Sequence, residues 1–125
     1  MRFLLITILL LTGITAFSEE KAKPVTDDSF KEEITDNKGY TLLDMGADWC
    51  YPCKQIAPII DELAKQESLK VTKMNFDKCP KTAEKLEIIA LPTVILFKDG
   101  KEKARFQGSK SKEDIKAWLK EHTKD

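Results

Sequence analysis

Apolar and polar residues follow one another along this chain in short segments that predict a single small domain of mixed helices and strands. Helices are predicted over 30–34, 50–66, 80–86 and after Ser111, mostly from apolar residues at helical spacing. Short apolar or alternating runs predict strands over 40–45, 69–76, 93–98 and 101–106. This alternation predicts an α/β fold, with a central mixed β-sheet flanked by helices on both faces.

Turn and cap signals set the ends of several of these elements. The sequence from Asn37 to Gly39 predicts the end of the first helix, and Thr26 or Asp27 is the expected cap at its start. Asp99-Gly100 predicts a tight turn that joins the last two strands as an antiparallel hairpin. Ser111 is the expected cap of the final helix.

The first 18 residues differ in composition from the rest of the chain. A basic start at Arg2 precedes an apolar stretch that ends in small residues before Glu19, which is typical of a secretory signal. The stretch is shorter than the roughly 20 apolar residues of a membrane span, and the alternative is an uncleaved N-terminal anchor. We therefore predict a signal peptide over 1–18, a flexible leader over 19–24 and a folded domain over 25–125.

Charge and cysteine content narrow the classes of function. The chain has 125 residues, with 21 basic and 21 acidic side chains and a formal net charge of +0. A nucleic-acid-binding domain needs a basic surface that displaces counterions from phosphate, so we expect no nucleic-acid partner. Export would place the three cysteines where disulfides can form, and only two of them lie close in sequence.

Cys50 and Cys53 are separated by two residues at the predicted start of a helix, and this spacing can close a small disulfide ring. Free N–H groups and partial positive charge at a helix N-terminus stabilise a thiolate. We therefore predict that Cys50 is the exposed nucleophile and that the more buried Cys53 resolves the mixed disulfide. Pro52 fits the first helical turn, where no backbone N–H is needed.

Cysteine pairs at this spacing also occur in zinc sites, haem attachment sites and structural disulfides. A zinc site needs further ligands, and the sequence offers only Cys79 and the distant His122. Haem attachment needs a histidine after the second cysteine, where Lys54 stands. A structural disulfide with so short a loop would constrain the unfolded chain little. We expect neither a metal nor an organic cofactor.

Four segments carry a resemblance to a known family. They are TDDSF (26–30), ADWCYPCK (47–54), IALPT (89–93) and FKDG (97–100). In this order and spacing they resemble the first helix, the active-site run, the cis-proline segment and the hairpin of the thioredoxin family. The resemblance extends from about residue 25 onward. It implies the thioredoxin fold, thiol–disulfide exchange at Cys50 and Cys53, and a monomeric protein.

The resemblance also implies roles for residues around the cysteine pair. Asp44 matches a buried acid that exchanges a proton with Cys53, and burial would raise its pKa. Lys73 matches the lysine beside that acid. Pro92 would be cis, and the backbone of Leu91 would pair with an extended substrate strand. The residues predicted to form or flank the substrate groove are Trp49, Tyr51, Pro52, Leu91, Pro92 and Gly108.

Each of these residues also has a simpler interpretation. Asp44 would then be a surface acid at a strand end and Lys73 a solvated lysine. Trp49 would serve packing alone, Pro92 would be a trans proline at a sheet edge, and Gly108 would only make a turn. The apolar neighbours of Asp44 and the place of Pro92 between a helix and a strand favour the family interpretation.

Three features depart from the common pattern of the family. Tyr51 stands where many members have glycine and puts a bulky ring beside Cys50. Met45-Gly46 replaces an aromatic pair, which opens space near the active site. Cys79 is an additional thiol, predicted to be partly buried and unpaired, with a regulatory or intermolecular role as the alternative. These departures leave the redox potential and the choice of partner open, since 30 mV corresponds to only about 1.4 kcal/mol.

The sequence therefore predicts a thiol–disulfide oxidoreductase that reduces protein disulfides in the periplasm or another space outside the cytoplasm. Reduced Cys50 would attack a disulfide of a protein substrate, and Cys53 would release the reduced substrate. Electrons would come from a partner dithiol protein, with a membrane-bound donor favoured. The alternatives are a disulfide oxidase or isomerase, and a non-catalytic binding module with the same fold.

Overall fold

The computed structural model describes residues 21–124 of the chain, so the predicted signal peptide lies outside the described residues. The strands are β1 (Lys23–Pro24), β2 (Tyr40–Gly46), β3 (Leu69–Asn75), β4 (Thr93–Lys98) and β5 (Lys101–Gln107). The helices are a short π-helical segment (Lys31–Thr35), α1 (Tyr51–Leu63), α2 (Pro80–Lys85) and α3 (Lys112–His122). All eight predicted elements are present, and β1 is an addition.

The five strands form one mixed sheet in the order β1-β3-β2-β4-β5. β3 runs parallel to both β1 and β2, whereas β4 is antiparallel to both β2 and β5. A parallel pair needs a crossover, and α1 supplies it between β2 and β3. The C-terminal end of β2 therefore leads directly into the loop that carries the cysteine pair.

Two hydrophobic clusters lie on opposite faces of this sheet. Successive residues of a strand point to opposite faces, and Leu42 and Leu43 of β2 accordingly belong to different clusters. One cluster contains buried side chains from α1 and α3, and the other contains side chains from the π-helical segment and α2. The predicted sheet with helices on both faces is confirmed.

The predicted leader over 19–24 is wrong for its described part. Lys23 and Pro24 pair with β3 in parallel register. Ala22 is buried, and its N–H donates a hydrogen bond of 2.9 Å to Asp61 Oδ1 on α1. A strand of two residues has no apolar periodicity, so the backbone edge of β3 and the contact with Asp61 dictate where this segment lies. The folded domain thus includes residues before the predicted boundary at 25.

The predicted cap is confirmed for Thr26 and wrong for Asp27. Thr26 Oγ1 accepts a hydrogen bond of 3.3 Å from the Ser29 N–H in the turn before the π-helical segment, which itself begins after Phe30 without a side-chain cap. The Asp27 carboxylate instead accepts hydrogen bonds from the backbone N–H groups of Lys81 and Thr82, at 3.1 and 2.9 Å. It thereby satisfies donors at the start of α2 that have no partner within that helix. The cap of α3 is as predicted, since Ser111 Oγ accepts a hydrogen bond from the N–H of residue 114 at 3.1 Å.

Candidate redox site

Cys50 and Cys53 form a disulfide at the N-terminus of α1, with their Cα atoms 5.3 Å apart. Cys50 is the N-cap residue, and its Sγ accepts a hydrogen bond of 3.3 Å from the backbone N–H of Cys53. Pro52 lies in the first turn of the helix, as predicted. The dipole of α1 and the Cys53 N–H therefore both point at the Cys50 sulfur. Once the Cys50–Cys53 disulfide is reduced, both favour the thiolate form of Cys50.

The two cysteines do not differ in exposure in the way that the sequence predicted. Cys50 is 4% exposed and Cys53 is 7% exposed, so the prediction of an exposed Cys50 above a more buried Cys53 is wrong for this disulfide-bonded form. Phe76 and Leu91 pack against the buried cluster that Cys50 and Cys53 form with Ala47. The two sulfurs are distinguished instead by the cavities that they line.

Cys50 lines a cleft of about 410 Å³. Four of the predicted groove residues line it as well, namely Trp49, Tyr51, Pro52 and Leu91. The remaining lining residues, which the sequence analysis did not assign to the groove, are Phe76, Ile88, Ile89 and Ala90. The apolar run from Ile88 to Leu91 before Pro92 was a visible signal for these contacts.

Two predicted groove residues do not line this cleft. The Leu91–Pro92 peptide bond is cis, as the resemblance implied, but Pro92 itself is buried. The N–H of Gly108 donates a hydrogen bond of 2.9 Å to the Pro92 carbonyl oxygen. Gly108 therefore connects the end of β5 to the proline segment. Neither residue is among those that line the cleft beside Cys50.

Cys53 lines a different cavity, of about 620 Å³, together with Asp44, Gly46, Lys73 and Cys79. β2 passes close to Cys53 at Gly46, because a Cβ at that position would be only 3.3 Å from both Cβ and Sγ of Cys53. The structure therefore brings Asp44, the predicted proton-exchanging acid, and its predicted neighbour Lys73 to the side of Cys53. Gly46 lines the open space that the sequence predicted near the active site.

Cys79 is unpaired and buried, at 2% exposure, as the sequence predicted. Its Sγ lies 3.9 Å from the carbonyl oxygen of Val25. Burial raises the pKa of the Cys79 thiol, and the nearby Asp27 charge raises it further. A thiol of this kind is a poor nucleophile near neutral pH, so we expect Cys79 not to compete with the helix-capped pair.

Asp44 is a half-buried acid with an unusual pKa. It pairs in register with Lys73 across β2 and β3, and its Oδ1 atom is buried without a hydrogen-bond partner among the described residues. Burial, followed by the negative charge of Asp61, raises the pKa of Asp44 to about 7, and the Lys73 charge opposes this shift. An acid that is half protonated near neutral pH can both accept and donate a proton.

The influence of Asp61 on this site was missed in the sequence analysis. Asp61 lies on α1 four residues after Ala57 and eight after Cys53, and residues four apart share one face of a helix. Ala57 lines the same cavity as Cys53. The helical spacing was therefore a signal that a second acid stands near the Asp44 side of the site.

The raised pKa of Asp44 predicts that the protein loses stability as the pH rises from about 4 to about 7. In this interval the unfolded carboxyl has released its proton while the folded one still holds it, so the unfolded state binds fewer protons and stability falls. Three pKa units correspond to about 4 kcal/mol, and because Asp44 is only half-buried, screening by solvent reduces the expected effect to about 2 kcal/mol. Asp44→Asn should therefore be about 2 kcal/mol more stable than the parent at pH 8 and nearly equal to it at pH 4.

Urea unfolding at both pH values measures this difference. Lys73→Met supplies a second check, since removal of the Lys73 charge should raise the Asp44 pKa further and deepen the loss of stability toward pH 8. A gain for Asp44→Asn of the same size at pH 4 and pH 8 would contradict the assignment of a raised pKa to this carboxyl.

Residues 21–124 contain neither a metal-binding cluster nor a membrane-spanning helix. No group of three or more histidine, cysteine or acidic side chains in that range could hold a metal ion. No helix in the same range is long and apolar enough to cross a membrane.

A mixed five-stranded sheet with a redox-active cysteine pair at the start of its crossover helix defines a thiol–disulfide oxidoreductase. The family model described as Thioredoxin matches residues 21–121 of the chain. The protein therefore belongs to the thioredoxin family, as the sequence resemblance indicated, and the match begins before the predicted boundary at residue 25.

Several curated relatives are similar over most of their length. The thioredoxin of Rickettsia prowazekii is 42% identical over 97 residues, which cover 76% of this chain and 92% of the relative. The thioredoxin of Pseudomonas aeruginosa is 43% identical over 97 residues, which cover 76% of this chain and 90% of the relative. The thioredoxin of Acidithiobacillus ferridurans is 41% identical with the same coverage.

Proposed function

We propose that this protein reduces disulfides of protein substrates outside the cytoplasm, with Cys50 as the attacking residue. The observation that carries the proposal is the division of the site, in which Cys50 lines the apolar cleft and Cys53 lines the cavity that holds Asp44. An incoming disulfide reaches Cys50 through the cleft, while proton exchange takes place on the other side. Leu91 lines the cleft, which supports the proposed pairing of its backbone with an extended substrate strand.

The first step forms a mixed disulfide. The Cys50 thiolate, stabilised at the N-terminus of α1, attacks one sulfur of the substrate disulfide. A bond forms between Cys50 Sγ and that sulfur, the substrate S–S bond breaks, and the other substrate sulfur leaves as a thiolate that takes up a proton.

The second step releases the substrate. Asp44, with a pKa raised to about 7, accepts the Cys53 proton through the shared cavity, and Lys73 stabilises the carboxylate that results. The Cys53 thiolate attacks Cys50 Sγ, the intramolecular disulfide forms, and the second substrate sulfur leaves. Two electrons have then passed from the protein dithiol to the substrate, and a partner dithiol protein must return them. We favour a membrane-bound donor for this step.

Export is supported by the residues that precede the domain. A basic start and an apolar stretch occupy 1–18, and the family match begins only at residue 21. Expression of the full chain with a C-terminal tag, followed by fractionation and mass measurement, tests this part of the proposal. The expected product lies outside the cytoplasm and has lost its first residues, whereas an intact cytoplasmic chain would contradict export.

Trapping of the mixed disulfide tests the role of Cys50. A reduced Cys53→Ser variant cannot complete the second step, so we expect it to accumulate a covalent adduct with a disulfide-containing protein such as insulin. A variant that lacks both Cys50 and Cys53 is the matched control, because it keeps Cys79. Adducts that form equally in both variants on a non-reducing gel would assign the reactivity to Cys79 and overturn the proposal.

Measurement of the reduction potential separates a reductase from an oxidase. Thioredoxins have potentials of about −270 mV, and a strongly oxidising relative of the same fold lies near −120 mV. We expect the Cys50–Cys53 couple, equilibrated with glutathione, to lie closer to the first value. A potential near the second would instead favour the oxidase or isomerase alternative.

A further inference from the structure

The N-terminal segment, residues 22–26, forms one wall of the cavity that Asp44 lines. Its lining residues are Pro24, Val25 and Thr26. Pro24 pairs with Lys73 in the sheet, and the Val25 N–H donates a hydrogen bond of 2.9 Å to the Lys73 carbonyl oxygen. Lys73 is in turn the register partner of Asp44, so only β3 lies between this segment and the proton-exchanging acid.

A hydrogen bond also joins the N-terminal segment to α1. The N–H of Ala22, a residue only 4% exposed, donates a bond of 2.9 Å to Asp61 Oδ1. A backbone N–H carries no net charge, so this bond holds the carboxylate in place without neutralising it. Ala57, four residues before Asp61, lines the cavity, and residues at this spacing share one face of a helix. The held charge therefore lies on the cavity side of α1.

The Asp44 carboxyl is sensitive to such a charge. Its Oδ1 atom is buried without a hydrogen-bond partner among the described residues, so no neighbouring donor fixes its protonation. The titratable groups that line the same cavity or act on this carboxyl through their charge are Cys53, Lys54 and Asp61 on α1, Asp48 before it, Lys73 on β3, and Lys78 and Cys79 after β3. The register partner of Asp44 on β4 is the uncharged Val94. Among these groups, the Asp61 charge raises the pKa of Asp44 and the Lys73 charge lowers it.

We propose that Asp61 is a positioning residue of the proton-exchange step and that the Ala22 N–H holds it there, so that docking of the N-terminal segment tunes Asp44; this inference rests on the proposed function. A fixed negative charge disfavours a second one nearby, which makes the Asp44 carboxylate a stronger base toward the Cys53 thiol. Without the bond from Ala22, the Asp61 carboxylate is free to turn toward water, where its charge is screened.

Titration of the Asp44 carboxyl in the disulfide-bonded protein tests this inference without requiring activity. NMR follows the carboxyl carbon, and the bonded cysteines do not titrate. Asp61→Asn keeps an oxygen that can accept the Ala22 N–H but removes the charge, so the Asp44 midpoint should move to lower pH. Ala22→Pro removes the donor but keeps the charge, and it should move the midpoint in the same direction by a smaller amount.

Two variants are matched controls for this titration. Glu62→Gln removes the same charge from the next residue of α1, which forms an ion pair of 2.8 Å with Lys112. Ala22→Gly keeps the backbone N–H. Both should keep the parent midpoint. A parent midpoint in Asp61→Asn or in Ala22→Pro, or a shift in Glu62→Gln as large as in Asp61→Asn, would overturn the inference.

The pH dependence of insulin reduction connects the titration with the exchange. From single-turnover rates of the reduced proteins, the ratio of the rate at pH 6 to that at pH 8 should be about twofold higher in Asp61→Asn than in the parent, because more of Asp44 is ionised at the lower pH. An unchanged ratio would limit Asp61 to a structural role and overturn the inference alone. A parent protein that does not reduce insulin would instead overturn the proposed function.

Discussion

Replacement of Cys50 by alanine is expected to lower the rate of protein-disulfide reduction by a factor on the order of 10³ or more. Cys50 is the sulfur that lines the apolar cleft and that accepts the N–H of Cys53 at the start of α1. The remaining thiols do not share this arrangement. Cys53 lines the opposite cavity, and Cys79 is buried with a raised thiol pKa.

Cys79→Ala is the matched control for this experiment, because it removes the same kind of atom from a position outside the pair. Its rate should stay within about twofold of the parent rate, as expected for a thiol with no part in the exchange. Insulin reduction with a chemical dithiol as electron source gives the reduction rates of the parent, Cys50→Ala and Cys79→Ala proteins. If Cys50→Ala kept a rate comparable to the parent, the protein would be a binding module with a dispensable disulfide.

Replacement of Gly100 by alanine should destabilise the fold by about 4 kcal/mol. Gly100 lies in the turn between β4 and β5 with φ of +80°, and a Cβ there would overlap the backbone oxygen of Thr35 and lie 2.8 Å from its carbonyl carbon. The left-handed conformation costs an L-residue about 1–2 kcal/mol. Overlap with a backbone atom adds about 1–3 kcal/mol, since the hairpin and the π-helical segment must move apart.

Gly39→Ala separates these two contributions. Gly39 has φ of +85°, but a Cβ there would have no atom within 4 Å, so alanine should cost only the conformational part, about 1–2 kcal/mol. Guanidinium unfolding of the parent and both variants gives the two differences in the free energy of unfolding. Equal losses for the two glycines would show that the contact with Thr35 adds nothing.

Much of the fold could be predicted from the sequence because apolar spacing and turn residues act locally. The apolar run of β4, followed by Asp99-Gly100, was sufficient to place the hairpin, and the helical spacing after Cys50 was sufficient to place α1. β1 could not be found in this way. Its two residues are held by the edge of β3 and by the bond from the Ala22 N–H to Asp61, and both contacts join segments far apart in sequence.

The candidate site was predictable in its chemistry but not in its geometry. The cysteine pair, the acid at Asp44 and its neighbour Lys73 all follow from local patterns and the family resemblance. The burial of Cys50 does not, because the side chains that pack against its cluster, Phe76 and Leu91, reach the site from other parts of the chain. The exposure of Ile89 is likewise set by a loop whose conformation the sequence pattern leaves open.

Cys50 and Cys53 line separate cavities, and this separation affects how the properties of the protein respond to substitutions. We expect substitutions in the cleft lining to act on the docking of a partner and those around Asp44 to act on acid–base behaviour, because no residue lines both cavities. Free-energy effects of separated sites tend to add. Partner preference and proton exchange can therefore diverge independently, by natural drift or by engineering, while the disulfide between them stays the same.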